Sequence, residues 1–352
     1  MLAQFRREIR EWIRRTAHDG EWERSLLAAN MICPGWPPAH GGSGLSPAEV
    51  FVFEEECAKA CVPLIHRGVG EHLVGPAILQ HGTADQKARF LPRIISGADR
   101  YCRAYSEPDH GSDLASATTH GARTGDDLVI HGHKTWVAGA AEANMLCLLC
   151  ETGGEVCLVL VPMTGEIQIR PTPAMTGSPE FHEVFLHGAR VPRTHVIGGV
   201  TGSWPPAMTA ANPSGLAAAN AKFEAEFWEL VREARKTGRA DDPGVRERLA
   251  WAYSRIALIR AHTMRLVTAM SAGENTVALQ ATERLLTTEF RRHFGEIAID
   301  IAGPATTVQP DEHSTTWQTL FLSSRAATID PHTSELRRTA IAEEILHLPT
   351  SE

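Results

Sequence analysis

The sequence predicts an α+β fold. An N-terminal helical domain covers residues 1–100, a middle antiparallel β-domain 101–198, and a C-terminal four-helix bundle 199–352. Three observations predict it. Apolar residues recur at helical spacing near the start, as at Phe5, Ile9, Trp12 and Ile13. Near residue 101 the texture changes to short apolar runs broken by glycine and aspartate turns. From Leu216 onward, long and partly apolar helical patterns return, and such helices pack as bundles.

The elements follow in order. Pro34 to Pro38 and His40 to Gly44 form a loop. Ser46 followed by Glu49 resembles a capping box that opens a helix through Ala60, and Thr83 caps a helix carrying Gln86, Phe90 and Leu91. The strands are read at Leu128–Ile130, Met145–Leu149, Val156–Val161, Ile167–Ile169 and Val184–Leu186. Turns at Gly125-Asp126-Asp127, Gly153-Gly154 and Thr164-Gly165 separate them. Val245, Leu249, Ala252, Ile256 and Ile259 mark one face of a long helix. Two more helices run from Thr276 to Ile301 and from Thr333 to Leu346.

Composition narrows the function classes. With 43% apolar residues over 352 positions, the chain can bury a sizeable core. A net charge of −8 argues against a nucleic-acid groove, which needs a basic stripe. Arg246–Arg248 and Arg291–Arg292 read as solvated helix faces. No apolar run reaches the ~20 residues of a membrane span, and Met1 to Arg15 lacks a signal-peptide core, so a cytoplasmic protein is expected. Cys147 and Cys150 form a CxxC inside an apolar run. No second pair follows at zinc spacing, so they read as buried strand residues and no metal is expected.

Five segments in order then resemble the acyl-CoA dehydrogenase family, across almost the whole chain. They are Gly82-Thr83 through Gln86, Phe90-Leu91-Pro92 and Gly97; Tyr105-Ser106-Glu107-Pro108-Asp109-His110-Gly111-Ser112-Asp113-Leu114; Gly132-His133-Lys134-Thr135-Trp136; Val184-Phe185 to Val191-Pro192 and Gly198; and Thr333-Ser334-Glu335 through Arg338, Ile341-Ala342-Glu343 and Leu348-Pro349. The resemblance implies an FAD site at Tyr105, Ser106, Gly111, Ser112, Trp136, Ala138, Gly303, Thr333 and Glu335. The residue types agree. Glycine at 111 lets backbone approach a cofactor, Ser106 and Ser112 can donate to flavin carbonyls or a pyrophosphate, and Trp136 offers a flat apolar face. Glu107 and Asp113 are structural in the family. The implied reaction is α,β-dehydrogenation of an acyl-CoA. A carboxylate removes the pro-R α-proton as the β-hydride passes to flavin N5, and electrons leave to an electron-transfer flavoprotein.

The chain departs from the family at the base. One family position for the catalytic Glu aligns with Pro331 and the other with Asn212. Asp330 lies one residue before the first and is either a shifted base or a turn aspartate. Trp204-Pro205-Pro206 interrupts what is a helix in the family, and Asn212-Pro213 reads as a later helix start. Ala138 stands where relatives often carry Thr or Ser, and no Arg-x-x-Phe-Gly element is evident around Arg235–Asp242. Three readings follow. The chain is one subunit of a heteromeric dehydrogenase, resembling the actinobacterial α2β2 enzymes of steroid side-chain catabolism, whose second acyl-CoA dehydrogenase-like subunit brings the base. Or it is a homo-oligomer with an unusual base. Or it is a flavin monooxygenase on the same fold. An oligomer is expected in any case, because Trp251, Ile256, Ile259, Leu266, Val267 and Met270 do not all fit one stripe.

Overall fold

The computed structural model describes residues 1–17, 20–111, 113–198, 215–307, 316–329 and 333–349. The chain divides into two compact units. One comprises Arg10–Ser46 with the described part of 62–212; the other comprises Met1–Ile9, Pro47–Cys61 and the described part of 213–352.

Helix α1 (Leu2–Thr16) contributes residues to each unit, and the first unit holds α2 (Trp22–Ala28), α4 (Gly75–His81), α5 (Ala84–Ile95) and an eight-stranded sheet. Thr83 caps α5 as its sequence predicts. Its hydroxyl accepts the Gln86 N–H at 3.2 Å, and the Gln86 side chain accepts the Thr83 N–H at 2.9 Å. The Gln86 amide then donates to the carbonyls of Thr194 and Val196 at 2.8 and 2.9 Å, pinning α5 to the end of the sheet.

The strands are β1 (Tyr101–Ala104), β2 (His120–Thr124), β3 (Asp127–Ala138), β4 (Met145–Thr152), β5 (Glu155–Pro162), β6 (Ile167–Thr172), β7 (Phe181–Pro192) and β8 (Val196–Ile197). Their order is β6-β7-β3-β2-β4-β5-β8, with β1 beside β4. All five expected strands are present. The sheet is mixed rather than purely antiparallel, because β1 runs parallel to β4 and β2 meets β4 in parallel at His120 and Glu151. The long excursion through β2 and β3 supplies the crossover that a parallel pair needs. Leu128, Ile130, Leu146, Leu148, Val159, Val161, Val184 and Val191 belong to its core. Cys147 and Cys150 are buried in β4, an odd number of residues apart and so on opposite faces. Burial pushes both thiols up to about 12.

The second unit contains α3 (Pro47–Lys59), α6 (Leu216–Lys236), α7 (Pro243–Ser271), α8 (Val277–Ala302), α9 (Thr316–Ala327) and α10 (Ser334–Glu344). The described residues thus give five C-terminal helices rather than four, and α3 packs among them. Glu54 of α3 accepts the N–H groups of Gly215 and Ala217 at 2.6 and 3.3 Å, satisfying donors at the start of α6. Asp242 and Pro243 start α7 as N-cap and first helical residue. The expected face of α7, Val245, Leu249, Ala252, Ile256 and Ile259, packs into one core, and Trp251, Leu266 and Val267 are likewise held within the unit rather than left for an interface. Ala252 and Ile259 enter one core with Trp251 and Ile256 packed against it, while Val267 meets Phe51 and Ala217 in another. The outward apolar residues are Tyr253, Leu258 and Met264, with Trp228 on α6. No helix among the described residues is long and apolar enough to cross a membrane.

Candidate functional site

Strands β3 and β7 pair antiparallel with two register shifts, one between Ile130 and His131 and a second after Lys134 opposite Val184, where pairing resumes at Val137 opposite His182. The second shift leaves Thr135 and Trp136 in a bulge. Trp136 takes φ 55°, a left-handed conformation that a bulky side chain rarely adopts. Its indole is 63% exposed, and the Phe181 ring meets it edge-on at 6.0 Å. A large aromatic held outward on backbone that costs about 1–3 kcal/mol is the signature of a binding surface rather than of a core.

The 105–111 loop is fastened to this bulge from beneath. The Thr135 N–H donates to the Ser106 carbonyl at 2.9 Å. The Lys134 ammonium, wholly buried, donates to the Tyr105 carbonyl at 2.9 Å and to Glu107 Oε1 at 2.8 Å. Glu107 Oε1 also accepts the Thr119 N–H at 2.9 Å. Its Oε2 accepts the Thr118 N–H and hydroxyl at 2.7 and 2.6 Å. Burial opposes ionisation of Glu107, yet hydrogen bonds from Lys134, Thr118 and Thr119 outweigh it and hold the carboxyl at about 2. Burial draws Lys134 below the usual lysine range, and Glu107 opposes that shift. Glu107 is therefore the structural residue the sequence predicts, and Asp113 likewise accepts the Ser116 hydroxyl at 2.6 Å. The Tyr105 hydroxyl lies 4.0 Å from Cys147 Sγ, and burial pushes it well above the usual phenol range.

The structure thus brings Tyr105, Ser106 and Trp136 together. Ser106 is half-buried, and exposed Ala138 sits two residues beyond Trp136 opposite Phe181. Gly111 is exposed, and a Cβ built there meets no atom within 4 Å, so nothing in the chain itself demands glycine. Gly132 is different: a Cβ would lie 2.3 Å from Thr119 Oγ1, so packing fixes it. Gly303, Thr333 and Glu335 belong to the other unit. Gly303 ends α8 at φ 67°, ψ −149°, a conformation essentially reserved for glycine. Thr333 caps α10 by accepting the Leu336 N–H at 3.3 Å, and Glu335 is exposed beside Arg338. Ser112, Asn212, Asp330 and Pro331 lie outside the described residues. Sequence reasoning passed over Lys134, whose role depends on a partner 27 residues away. It also passed over the Thr135 hydroxyl, buried with no hydrogen-bond partner.

An exposed indole face, an orphaned hydroxyl beside it and an uncrowded, exposed Gly111 suit a planar ring system rich in hydrogen-bonding groups, such as a flavin. Comparison with known proteins agrees with that chemistry. Residues 2–98, 102–188 and 208–346 match the N-terminal, middle and C-terminal domains of acyl-CoA dehydrogenase. The chain is 37% identical to acyl-CoA dehydrogenase IpdE1 of Mycobacterium tuberculosis over 93% of its length and 87% of that protein's. It is 35% identical to IpdE1 of Mycolicibacterium smegmatis, covering 93% of this chain and 88% of the relative. Among solved structures, the Tcur3481-Tcur3483 steroid ACAD superposes with a TM-score of 0.82 at 26% identity, covering 99% of this chain and 98% of that one. The ChsE4-ChsE5 complex from Mycobacterium tuberculosis shares the fold, with a TM-score of 0.81 at 23% identity over 99% and 98% of the two chains. This chain belongs to the acyl-CoA dehydrogenase family, flavin-dependent oxidoreductases that act on a CH–CH group.

Proposed function

We propose that this chain is one subunit of a heteromeric, FAD-dependent acyl-CoA dehydrogenase acting on a steroid-derived acyl thioester. One observation carries the reading. The outward-held, braced surface around Trp136 is in place, while residues 212 and 331, which align with the family's two base positions, are Asn and Pro. The likeness to the Tcur3481-Tcur3483 steroid ACAD supports a second, related subunit. Exposed Trp228, Tyr253, Leu258 and Met264 give the helical unit an apolar surface for an oligomer.

In this reading Trp136 lies against the flavin ring, and Ser106 with the following loop donates hydrogen bonds to it. Gly303, Thr333 and Glu335 serve the remainder of the cofactor. When bound, FAD supplies the acceptor for the hydride leaving the β-carbon. Neither Asn nor Pro takes up a proton at neutral pH, so the α-proton goes to a carboxylate of the partner subunit. Lys134 and Glu107 hold the loop and move no proton. Electrons pass on to an electron-transfer flavoprotein, and the complex works in the cytoplasm.

A homo-oligomer using Asp330 as a shifted base is the second reading, supported by that residue's place in the sequence. A flavin monooxygenase is not favoured, since the relatives described above are acyl-CoA dehydrogenases. The test is purification of the chain alone and with a co-expressed acyl-CoA dehydrogenase-like partner that carries the missing Glu. Flavin content and bleaching by acyl-CoA are then read. The chain alone is expected to turn over roughly 10²–10⁴-fold more slowly than the complex. Equal rates, abolished by Asp330→Asn, would establish the second reading instead.

A further inference from the structure

The segment joining α3 to α4 carries a side-chain cluster that the flavin site does not use. His66, Glu71 and His72 each present one donor atom, and these atoms all lie within 4.8 Å of one another. His66 Nδ1 is 3.6 Å from Glu71 Oε2, and the two imidazoles are 5.8 Å apart with a 44° tilt. Glu71 and His72 sit on a π-helical turn, Gly70–Val74, a rare form that concentrates at functional sites. Glu71 is 1% exposed, and its Oε2 accepts the Arg67 N–H at 2.9 Å. The Arg67 guanidinium is directed elsewhere, to the Ile95 carbonyl at 2.8 Å and to Glu23 at 2.6 Å.

We propose that His66, Glu71 and His72 form a binding site for a divalent transition-metal cation of the zinc type. Two imidazoles and one carboxylate match the ligand preference of such ions, and His66 keeps the site open to solvent. Donors all within 4.8 Å of one another leave a point no farther than ~2.8 Å from each, against ~2.0–2.2 Å in a zinc site. Rotation of the two histidines toward Glu71, by up to about 1.5 Å at a donor atom, closes that gap. The ion takes the place of the His66–Glu71 contact and ties the 62–69 segment to the π-turn. Three protein ligands leave a coordination position for water.

The full chain, stripped with a chelator and repurified with its partner if the assembly requires one, is titrated with Zn²⁺ and with Co²⁺. One equivalent is expected to bind with micromolar or tighter affinity. It should raise Tm and give the visible absorption of ligand-bound Co²⁺. His66→Ala with His72→Ala should weaken binding at least about 100-fold and abolish the Tm rise. His72→Gln, which keeps a polar side chain, should do the same in part. His120→Ala with His131→Ala, at the exposed stacked pair 5.9 Å apart, should leave binding intact. Absence of stoichiometric binding would overturn the proposal and leave a hydrogen-bonded cluster. Binding that survives the first variants and falls with the last would overturn it equally.

Discussion

Lys134→Met tests the brace beneath the 105–111 loop. The substitution keeps most of the side-chain length, removes a wholly buried ammonium, and deprives the Tyr105 carbonyl and Glu107 Oε1 of a donor at 2.9 and 2.8 Å. Removing one partner of a buried pair costs about 3–5 kcal/mol, because the other charge is left without compensation. Glu107 keeps three hydrogen bonds from Thr118 and Thr119, which places the expected loss near the lower end, about 3 kcal/mol. For a chain of 352 residues that corresponds to a Tm lower by roughly 4 °C. Lys134→Met with Glu107→Gln removes both charges and should recover at least about 1 kcal/mol. The pH dependence has a definite sign. Glu107 ionises at about 2 in the folded chain, below the ordinary 4.5. The folded state therefore holds fewer protons than the unfolded one between these values. The stabilisation is complete above pH 4.5 and is lost as the pH falls toward 2, about 3 kcal/mol in all. Calorimetry of the three proteins from pH 7 to 3, with flavin content read alongside, makes the comparison. A single variant within about 0.5 kcal/mol of the parent, or a double variant no more stable than the single, refutes the brace.

Trp136→Gly relieves a left-handed backbone and removes an exposed ring. It should leave the stability of the flavin-free chain unchanged or raise it by about 1 kcal/mol while lowering flavin affinity at least tenfold, read by fluorescence titration. Gln86→Ala loses the amide bonds to Thr194 and Val196 and half of the capping box, at about 2–3 kcal/mol in denaturant melts. Gln86→Glu restores the acceptor for Thr83 but sets a carboxylate against two carbonyls, so it should be less stable than the alanine variant. Burial raises the Glu283 carboxyl above its ordinary range, and its Oε2 has no hydrogen-bond partner, so its ionisation costs stability as the pH rises from about 4.5. Glu283→Met should flatten that decline in pH-dependent melts and leave turnover of the assembled enzyme unchanged.

The fold was legible wherever a pattern is local. The Thr83 capping box needs three residues' separation, and the five apolar strands carry their own period. β1 and β2 were missed because Tyr101–Ala104 is four residues long and His120–Thr124 buries a single glycine. On α7 the face from Val245 to Ile259 was legible, but that Val267 on its second stripe is covered by Phe51 of α3 and Ala217 rather than by another subunit was not, because α3 is far away in sequence. At the site, Trp136 and Ser106 were legible through the motifs that carry them. The bulge that turns Trp136 outward was not, because a register shift belongs to a pair of strands and not to one. Nor was the pairing of Lys134 with Glu107, or the convergence of His66 with Glu71 and His72 through a π-turn.

The buried acids of the described residues bear on the missing base. Glu54 receives the first N–H groups of α6, Glu56 pairs with Arg6 at 2.6 Å, and Asp99 pairs with Arg93 at 2.7 Å. Glu71 accepts from Arg67, Glu107 anchors the 105–111 loop, and Glu283 accepts the Thr263 hydroxyl at 2.9 Å inside the helical unit. A general base works best with a pKa near the operating pH and a path to its substrate. Glu107 fails the first requirement, held at about 2 by donors whose purpose is to fix a loop. Glu283 has a raised pKa but lies in a helix seam at 6% exposure. Of these buried acids only Glu107, with Lys134, braces the loop beside Trp136, and the others cap a helix, pair with arginines or accept hydrogen bonds elsewhere in the chain. With Asn at 212 and Pro at 331, no buried acid of the described residues meets both requirements, which is what the proposed division of labour with a second subunit expects.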